Sequence, residues 1–401
     1  MKARTIDAKQ ARRIAVAAQG LHSRFPFGRG KQGILRAIRQ IGYVQIDTIS
    51  VVERAQHHVL WSRIPDYKKR HLVTLQKEEK KLIEHWSHAL SYLPMEDYRF
   101  TLPIKRHFRE HSDPWPKSDP KLKAFVLERI TREGPLMARD FEANRNRKGD
   151  GWWDWKPAKL ALERLFFEGA LVVTHRENFQ KVYDLPERIL PEGINQEEPT
   201  PSEYARFLIE RTVNAHGFAS PASMTYQRKG MSSVVKNEIS IMIDEGVLVP
   251  LRVQGVDQEY FTTREHIDAI PRIQKKVRFL SPFDNLVIQR NRLLNVFGFD
   301  YQIECYVPKA KRKFGYFSLP VLYGSELIGR ADMKMDRKSG ILHIKNLVFE
   351  DRIRITDRML NEMAGSIIDF ARFQGAGETR WGVCHPARVK EALESMTGSF
   401  S

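Results

Sequence analysis

The 401-residue sequence contains only two cysteines, Cys305 and Cys384. Two thiols supply neither a disulfide framework nor, by themselves, a structural zinc tetrad, and they fit a reducing compartment. No stretch approaches the roughly 18 uninterrupted apolar residues of a transmembrane helix, and no basic segment leading into an apolar run opens the chain. Neither a membrane span nor a secretory leader is therefore expected. The phosphate loop G-x-x-x-x-G-K-[ST], the nucleophile elbow G-x-S-x-G and the helical H-E-x-x-H pattern are all absent. Nucleotide-driven strand separation, serine hydrolysis of the elbow type and zinc hydrolysis lose their usual signatures with them. Histidines pair at His57-His58 and at His85 and His88, without the carboxylate spacing of a metal site. No metal and no cofactor is expected. Acid is also scarce: 49 Asp and Glu stand against 66 Lys and Arg, a formal charge of +17. A surplus of that size favours a polyanionic partner, and without a membrane signal that partner is nucleic acid.

What the chain does have is repetition. Residues 119–133 read as a helix, apolar at Leu122, Phe125, Val126 and Ile130, ending at Gly134-Pro135. A short helix over 137–141, a longer one over 157–168 and a hairpin over 170–185 follow. Three helices and a hairpin make a winged helix. The plan recurs about 80 residues later, with helices over 203–215, 220–226 and 231–245 and a wing over 246–250 and 259–262. The local sequences LERLFFEGALVV and EISIMIDEGVLV carry the same order of helix, glycine and strand. The amino-terminal part repeats it more loosely, with helices over 5–21 and 31–40. From about Phe279 the texture turns to strands, including 301–307 and 340–344, with a helix over 357–374 and a strand over 379–383. The expected fold is α+β: three tandem winged-helix units (1–115, 116–195, 196–277) followed by a β-rich C-terminal domain (278–401) carrying a basic hairpin.

Two features of this scaffold can carry chemistry. In Tyr43-Val44-Gln45-Ile46-Asp47, an extended backbone points Gln45 and Asp47 to one face while Val44 and Ile46 point to the other. A carboxylate and a carboxamide suffice to cleave the glycosidic bond of an N7-alkylated purine. That base is already a cationic leaving group, so what it lacks is an anion beneath the oxocarbenium-like sugar and a placed water. The same spacing also describes a solvated strand edge. The second feature is the run 309–313, four cations in five residues (Lys309, Lys311, Arg312 and Lys313) between Tyr306 and Tyr316. As a hairpin tip it protects an edge strand; as a probe it neutralises phosphates. Arg290 and Arg292 are expected to extend that surface, and Trp86 with His88 to form a packed or DNA-facing pair. The aromatic run 151–156, which includes Trp152 and Trp153, is read as structural.

These motifs converge on one family. AVAAQGL, VQIDTISVVERA, HWSHALSYLP, GWWDWKPAK, NFQKVYDLPER, SPFDNLVIQRNR, DYQIECYVPKAKRKFGYFSLP and VLYGSELIGRADMKMDRKSGIL together resemble the AlkX (YcaQ) branch of the interstrand-crosslink DNA glycosylases, a winged-helix superfamily. The resemblance implies a cradle of three winged helices with a β-rich C-terminal domain and a catalytic Gln–apolar–Asp motif at Gln45, Ile46 and Asp47. It also implies excision of N7-alkylguanine and unhooking of crosslinks without lyase action. An open cradle suits a crosslinked nucleotide that cannot be flipped freely out of the duplex. Double-stranded DNA carrying alkylated or crosslinked purines is the implied partner, for a monomer in the bacterial cytoplasm at the nucleoid. The motif Ser281, Asp284, Arg290 and Arg292 belongs to the resemblance without an assigned role. The competing reading, from the fold alone, is a non-catalytic winged-helix DNA-binding regulator.

Overall fold

Short helices and hairpins with turn glycines dictate most of the architecture. A computed structural model of the protein describes residues 3–111, 119–141 and 155–400. Trp152 and Trp153 lie outside those ranges. Contacts divide the chain into two units, one formed by Met1–Tyr67 with Leu208–Ser401 and the other by Lys68–Phe207.

In the Lys68–Phe207 unit, helix Pro120–Glu133, strand Leu136–Met137, the turn Ala138–Phe141, helix Trp155–Glu168 and the hairpin Val172–Glu177/Gln180–Asp184 form a winged helix. Its sheet order, Leu136–Met137 then Gln180–Asp184 then Val172–Glu177, places the first strand against the second arm of the wing. Asn178 and Phe179, both at positive φ, make the turn. Leu162, Leu165, Phe166, Val173 and Tyr183 pack as its core. The same chain order, helix–strand–helix–helix–hairpin, occurs in Pro201–His216, Phe218–Ala219, Pro221–Met224, Ser232–Asp244 and Val249–Val253/Tyr260–Thr262, and Phe218–Ala219 pairs with the second arm in the same way. It occurs a third time from Gly30–Ile41 through Val44–Gln45, Ala55–Trp61 and Lys69–Lys77 to Leu82–Trp86/Leu90–Pro94.

Two expectations are corrected. The helix expected over 5–21 starts only at Ala8, because Asp7 caps it with a reciprocal box: Gln10 N–H donates to Asp7 Oδ1 (2.7 Å) and Asp7 N–H to Gln10 Oε1 (3.1 Å). The residues before it, Arg4–Ile6, instead form a strand parallel to Val249–Val253. The strand expected over 301–307 does not form. Those residues make an irregular loop for a reason given below.

The C-terminal region is a five-stranded sheet in the order Val277–Phe279, Ser318–Tyr323, Glu326–Asp336, Ile341–Phe349 and Glu378–His385, antiparallel except for its last pair. Helix Asp357–Gln374 crosses it and buries Met363, Ile367 and Phe370 against Phe279, Val321 and Ile344. Val52 and Ala55, just after the Gln-Ile-Asp motif, belong to the same core. The sheet therefore seats the candidate site.

Candidate active site

The helix Gly30–Ile41 stops at Gly42, whose φ of +81° only glycine adopts without strain and whose amide returns to Ile38 O. A side chain there would also meet the Arg211 guanidinium stem, 2.6 Å from an added Cβ. The chain leaves Gly42 extended. Asn285 Nδ2 holds it by donating to Ile41 O (3.0 Å) and Tyr43 O (3.1 Å). Val44 is fully buried and Ile46 is 7% exposed, on the face that alternation assigns to the core. Gln45 departs from the simple alternation. It is also buried, and it reaches Asp47 along the chain, Nε2 to Oδ2 at 3.3 Å.

Asp47 is half-buried and tightly oriented. Its Oδ1 accepts the Ile49 amide (2.8 Å), and its own amide donates to Gln56 Oε1 (3.3 Å) from the helix Ala55–Trp61. No cation pairs with it among the described residues. Downstream, Met335 N–H donates to Val51 O (2.9 Å), while Arg337 donates to Ser50 O (3.0 Å) and Val52 O. The carboxylate thus sits on a segment clamped to the sheet, with lone pairs still available.

The neighbouring side chains were not legible in the sequence. Cys305 and Tyr306 occupy a tight turn in which Val307 N–H donates to Glu304 O (3.0 Å). The Cys305 thiol and the Tyr306 phenol are both pushed up, first by loss of surrounding water, with the Asp47 carboxylate adding to the effect. The turn therefore lies within electrostatic reach of Asp47, and Tyr306 stands out from it 79% exposed.

This loop is what replaces the expected strand and hairpin. The Glu304 carboxylate accepts three amides, from Lys313 (3.0 Å), Phe314 (2.8 Å) and Gly315 (3.0 Å). Asp332 accepts those of Tyr316 (3.2 Å) and Phe317 (2.9 Å). Backbone donors that a strand ladder would use are taken by buried carboxylates. Lys309, Lys311 and Lys313 are exposed on the loop. Arg312 is half-buried and donates to Glu304 O (3.2 Å) and Val307 O (2.8 Å), so it also holds the turn.

The other candidates fall elsewhere. Arg292 does not extend the basic surface: helix Arg290–Phe297 turns it inward with Leu293, Val296 and Phe297, leaving it 4% exposed with Nη2 donating to His216 O (3.0 Å). Arg290 is half-buried and spends its two Nη groups on Val287 O (2.6 Å) and Pro282 O (2.8 Å). In the Lys68–Phe207 unit, His88 is buried and Trp86 packs edge-on to Phe167 at 6.0 Å. His57 and His58 are structural: His57 Nδ1 lies 2.6 Å from Tyr67 Oη, and His58 Nε2 lies 2.7 Å from Phe279 O. Asp284 receives both Nη groups of buried Arg63 (2.7 and 2.9 Å), which gives the Ser281–Asp284 motif an anchoring role.

Winged-helix repeats, a β-rich C-terminal region and an available carboxylate on a clamped extended segment make up the fold and its candidate site. The solved structure of the Streptomyces sahachiroi DNA glycosylase AlkZ has the same fold, at a TM-score of 0.63 and 16% identity over 94% of this chain and all of that one. The family model "DNA glycosylase AlkZ-like" matches residues 38–373. The chain belongs to the AlkZ-like DNA glycosylase family, and so to the DNA repair glycosylases, hydrolases of the N-glycosidic bond that act on DNA. Among the described residues no helix is long and apolar enough to cross a membrane.

Proposed function

We propose that the protein excises N7-alkylguanine and unhooks interstrand crosslinks through that position, acting as a monofunctional glycosylase. The observation that carries this reading is the Asp47 carboxylate, oriented by Gln45 and the Ile49 amide and left without a cation. An N7-alkylated guanine departs as a neutral base when the N-glycosidic bond breaks and its electron pair returns to the purine. The sugar then carries the positive charge. Asp47 stabilises that charge and takes a proton from the water that attacks C1′, while Gln45 orients both carboxylate and water. The product is an abasic site. Lyase action requires an amine nucleophile, and among the described residues none contacts Asp47.

Lys309, Lys311, Lys313 and Arg312 would neutralise strand phosphates beside this site. Trp86 and His88, being largely packed, would support the wing that carries them rather than touch bases. A single chain holds the whole site, so a monomer suffices.

The test is a gel assay on a duplex bearing one N7-alkylguanine crosslink. Unhooking with formation of an alkali-labile site is expected, lost in Asp47→Asn with DNA binding retained. Full activity in Asp47→Asn would overturn the mechanism, and β-elimination without alkali would overturn the monofunctional reading.

A further inference from the structure

A cavity of about 340 Å³, lined in part by Ser223, Tyr260, Gln289, Arg290, Arg292 and Asn295, lies beside the third winged helix and is not used by the mechanism above. Two arginines and a set of neutral hydrogen-bonding groups face it, and no aspartate or glutamate does. Arg292 is 4% exposed, and its Nε and Nη1 are buried without a partner among the described residues. The Phe218 ring lies against its guanidinium at 5.2 Å. Arg290 stacks over Tyr301 at 4.6 Å and has only carbonyl acceptors. Burial lowers both guanidinium pKa values, that of Arg292 to about 10, and no carboxylate is near enough to offset it. His216, which accepts from Arg292 through its carbonyl, is itself held neutral by burial and by that arginine.

A buried Arg292 beside a half-buried Arg290, with no counter-ion among the described residues, is a costly arrangement, because a charge taken out of water is strongly disfavoured when it is left unpaired. Arg63 has Asp284 and Arg176 has Glu84, whereas Lys105 and Arg278 are also buried without a paired carboxylate among the described residues; neither of those two lines this cavity, and Arg292 differs from them in doing so. The missing partner is thus an anion from outside. Guanidinium groups favour oxyanions, with hydroxyl and amide groups completing a tetrahedral set. We propose that this cavity binds a phosphate group between Arg290 and Arg292, with Ser223, Tyr260 and Asn295 at its rim. The source is either a DNA strand phosphate or free phosphate. Within the lining, Gln289 Nε2 donates to Ser223 O (3.4 Å).

The experiment uses the full chain and needs no excision, so it stands or fails separately from the proposed reaction. Thermal unfolding is followed in potassium phosphate and in potassium chloride at equal ionic strength. The salt dependence of binding to undamaged duplex is measured alongside. Asn295→Asp places a carboxylate at the rim without disturbing the buried arginines, and Asn361→Asp makes the same charge change on the exposed helix Asp357–Gln374. A melting temperature several degrees higher in phosphate, lost in Asn295→Asp and kept in Asn361→Asp, supports a free-phosphate pocket. A salt slope lower by about one in Asn295→Asp than in Asn361→Asp supports a strand phosphate. If both variants match the wild type in both measurements, the pocket is not a phosphate site.

Discussion

The segment carrying Gln45 and Asp47 and the loop that carries Glu304 are built around the same device, a carboxylate accepting backbone amides, yet the two carboxylates end differently. Glu304 is buried and receives three amides, which overcome the opposing effect of burial and hold its pKa below the usual carboxylate value. Asp47 receives one amide and one carboxamide and remains half-exposed. Glu304 spends its hydrogen-bonding capacity on structure; Asp47 keeps acceptor capacity to spare, which the proposed mechanism uses for a sugar cation and a water. In the proposed mechanism it is the availability of a carboxylate, rather than its presence, that selects Asp47.

Neutralising each carboxylate should separate the two roles. Asp47→Asn is expected to lower excision by at least about 100-fold, the order seen when one preorganised charge-stabilising group is removed. Its unfolding free energy should stay within about 0.5 kcal/mol of wild type. Glu304→Gln is expected to show the inverse, a loss of about 1.5–3 kcal/mol in denaturant unfolding with a smaller fall in rate. If Glu304→Gln silenced excision while leaving stability intact, the division between the two would be wrong.

Acid should separate them again. His58, on the helix Ala55–Trp61 that follows the Asp47 segment, is held neutral, its pKa pushed down to about 4 by burial. The unfolded chain takes up that proton near pH 6.5, so stability is complete above about 6.5 and falls as pH drops towards 4, by about 3 kcal/mol. Glu304 has the same sense in a lower window: its lowered pKa contributes stability above the ordinary carboxylate value and loses it only as pH falls below that value. Hydrogen exchange at pH 5 should therefore show loosening at residues 55–61 with the 313–315 amides still protected, and His58→Gln should abolish the first effect.

The two regions also differ in how far the sequence disclosed them. Alternation placed Val44 and Ile46 inward and paired Gln45 with Asp47, because a two-residue period survives in any extended segment. The helices over 120–133 and 357–374 were legible from their periodicity and caps. The loop was not, since Tyr301-Gln302-Ile303-Glu304 alternates as a strand does; only the fold shows Glu304 turned inward to collect amides from residues 313–315. Arg292 was misjudged for a related reason. Charge predicts exposure on average, but the turn of the helix that places Leu293, Val296 and Phe297 inward takes Arg292 with them. The proximity of Tyr306 to Asp47 joins residues more than 250 positions apart, and no local pattern carries that.

Tyr306 offers an intermediate test. An aromatic ring 79% exposed on a pinned turn is a stacking surface, and base–aromatic stacking contributes about 1–3 kcal/mol. Tyr306→Ala should reduce excision about tenfold in single turnover, and Tyr306→Phe should restore it because the ring is what stacks. Equal losses in both would instead assign the role to the hydroxyl.

The smallest effect belongs to the lysines, and it is where Lys309 and Lys311 part company with Arg312. The two lysines are exposed and their side chains hold nothing in place, so replacing both with alanine should leave melting unchanged and flatten the salt slope of DNA binding by about two, one per phosphate released. Arg312 carries the same charge but also holds the Glu304–Val307 turn and lies over the Tyr316 ring at 4.8 Å. Arg312→Ala should therefore lower excision as well as the slope, because it releases the turn that presents Tyr306. If Arg312→Ala altered only the slope, the turn would owe its shape to Glu304 alone, and the loop would reduce to a cationic surface.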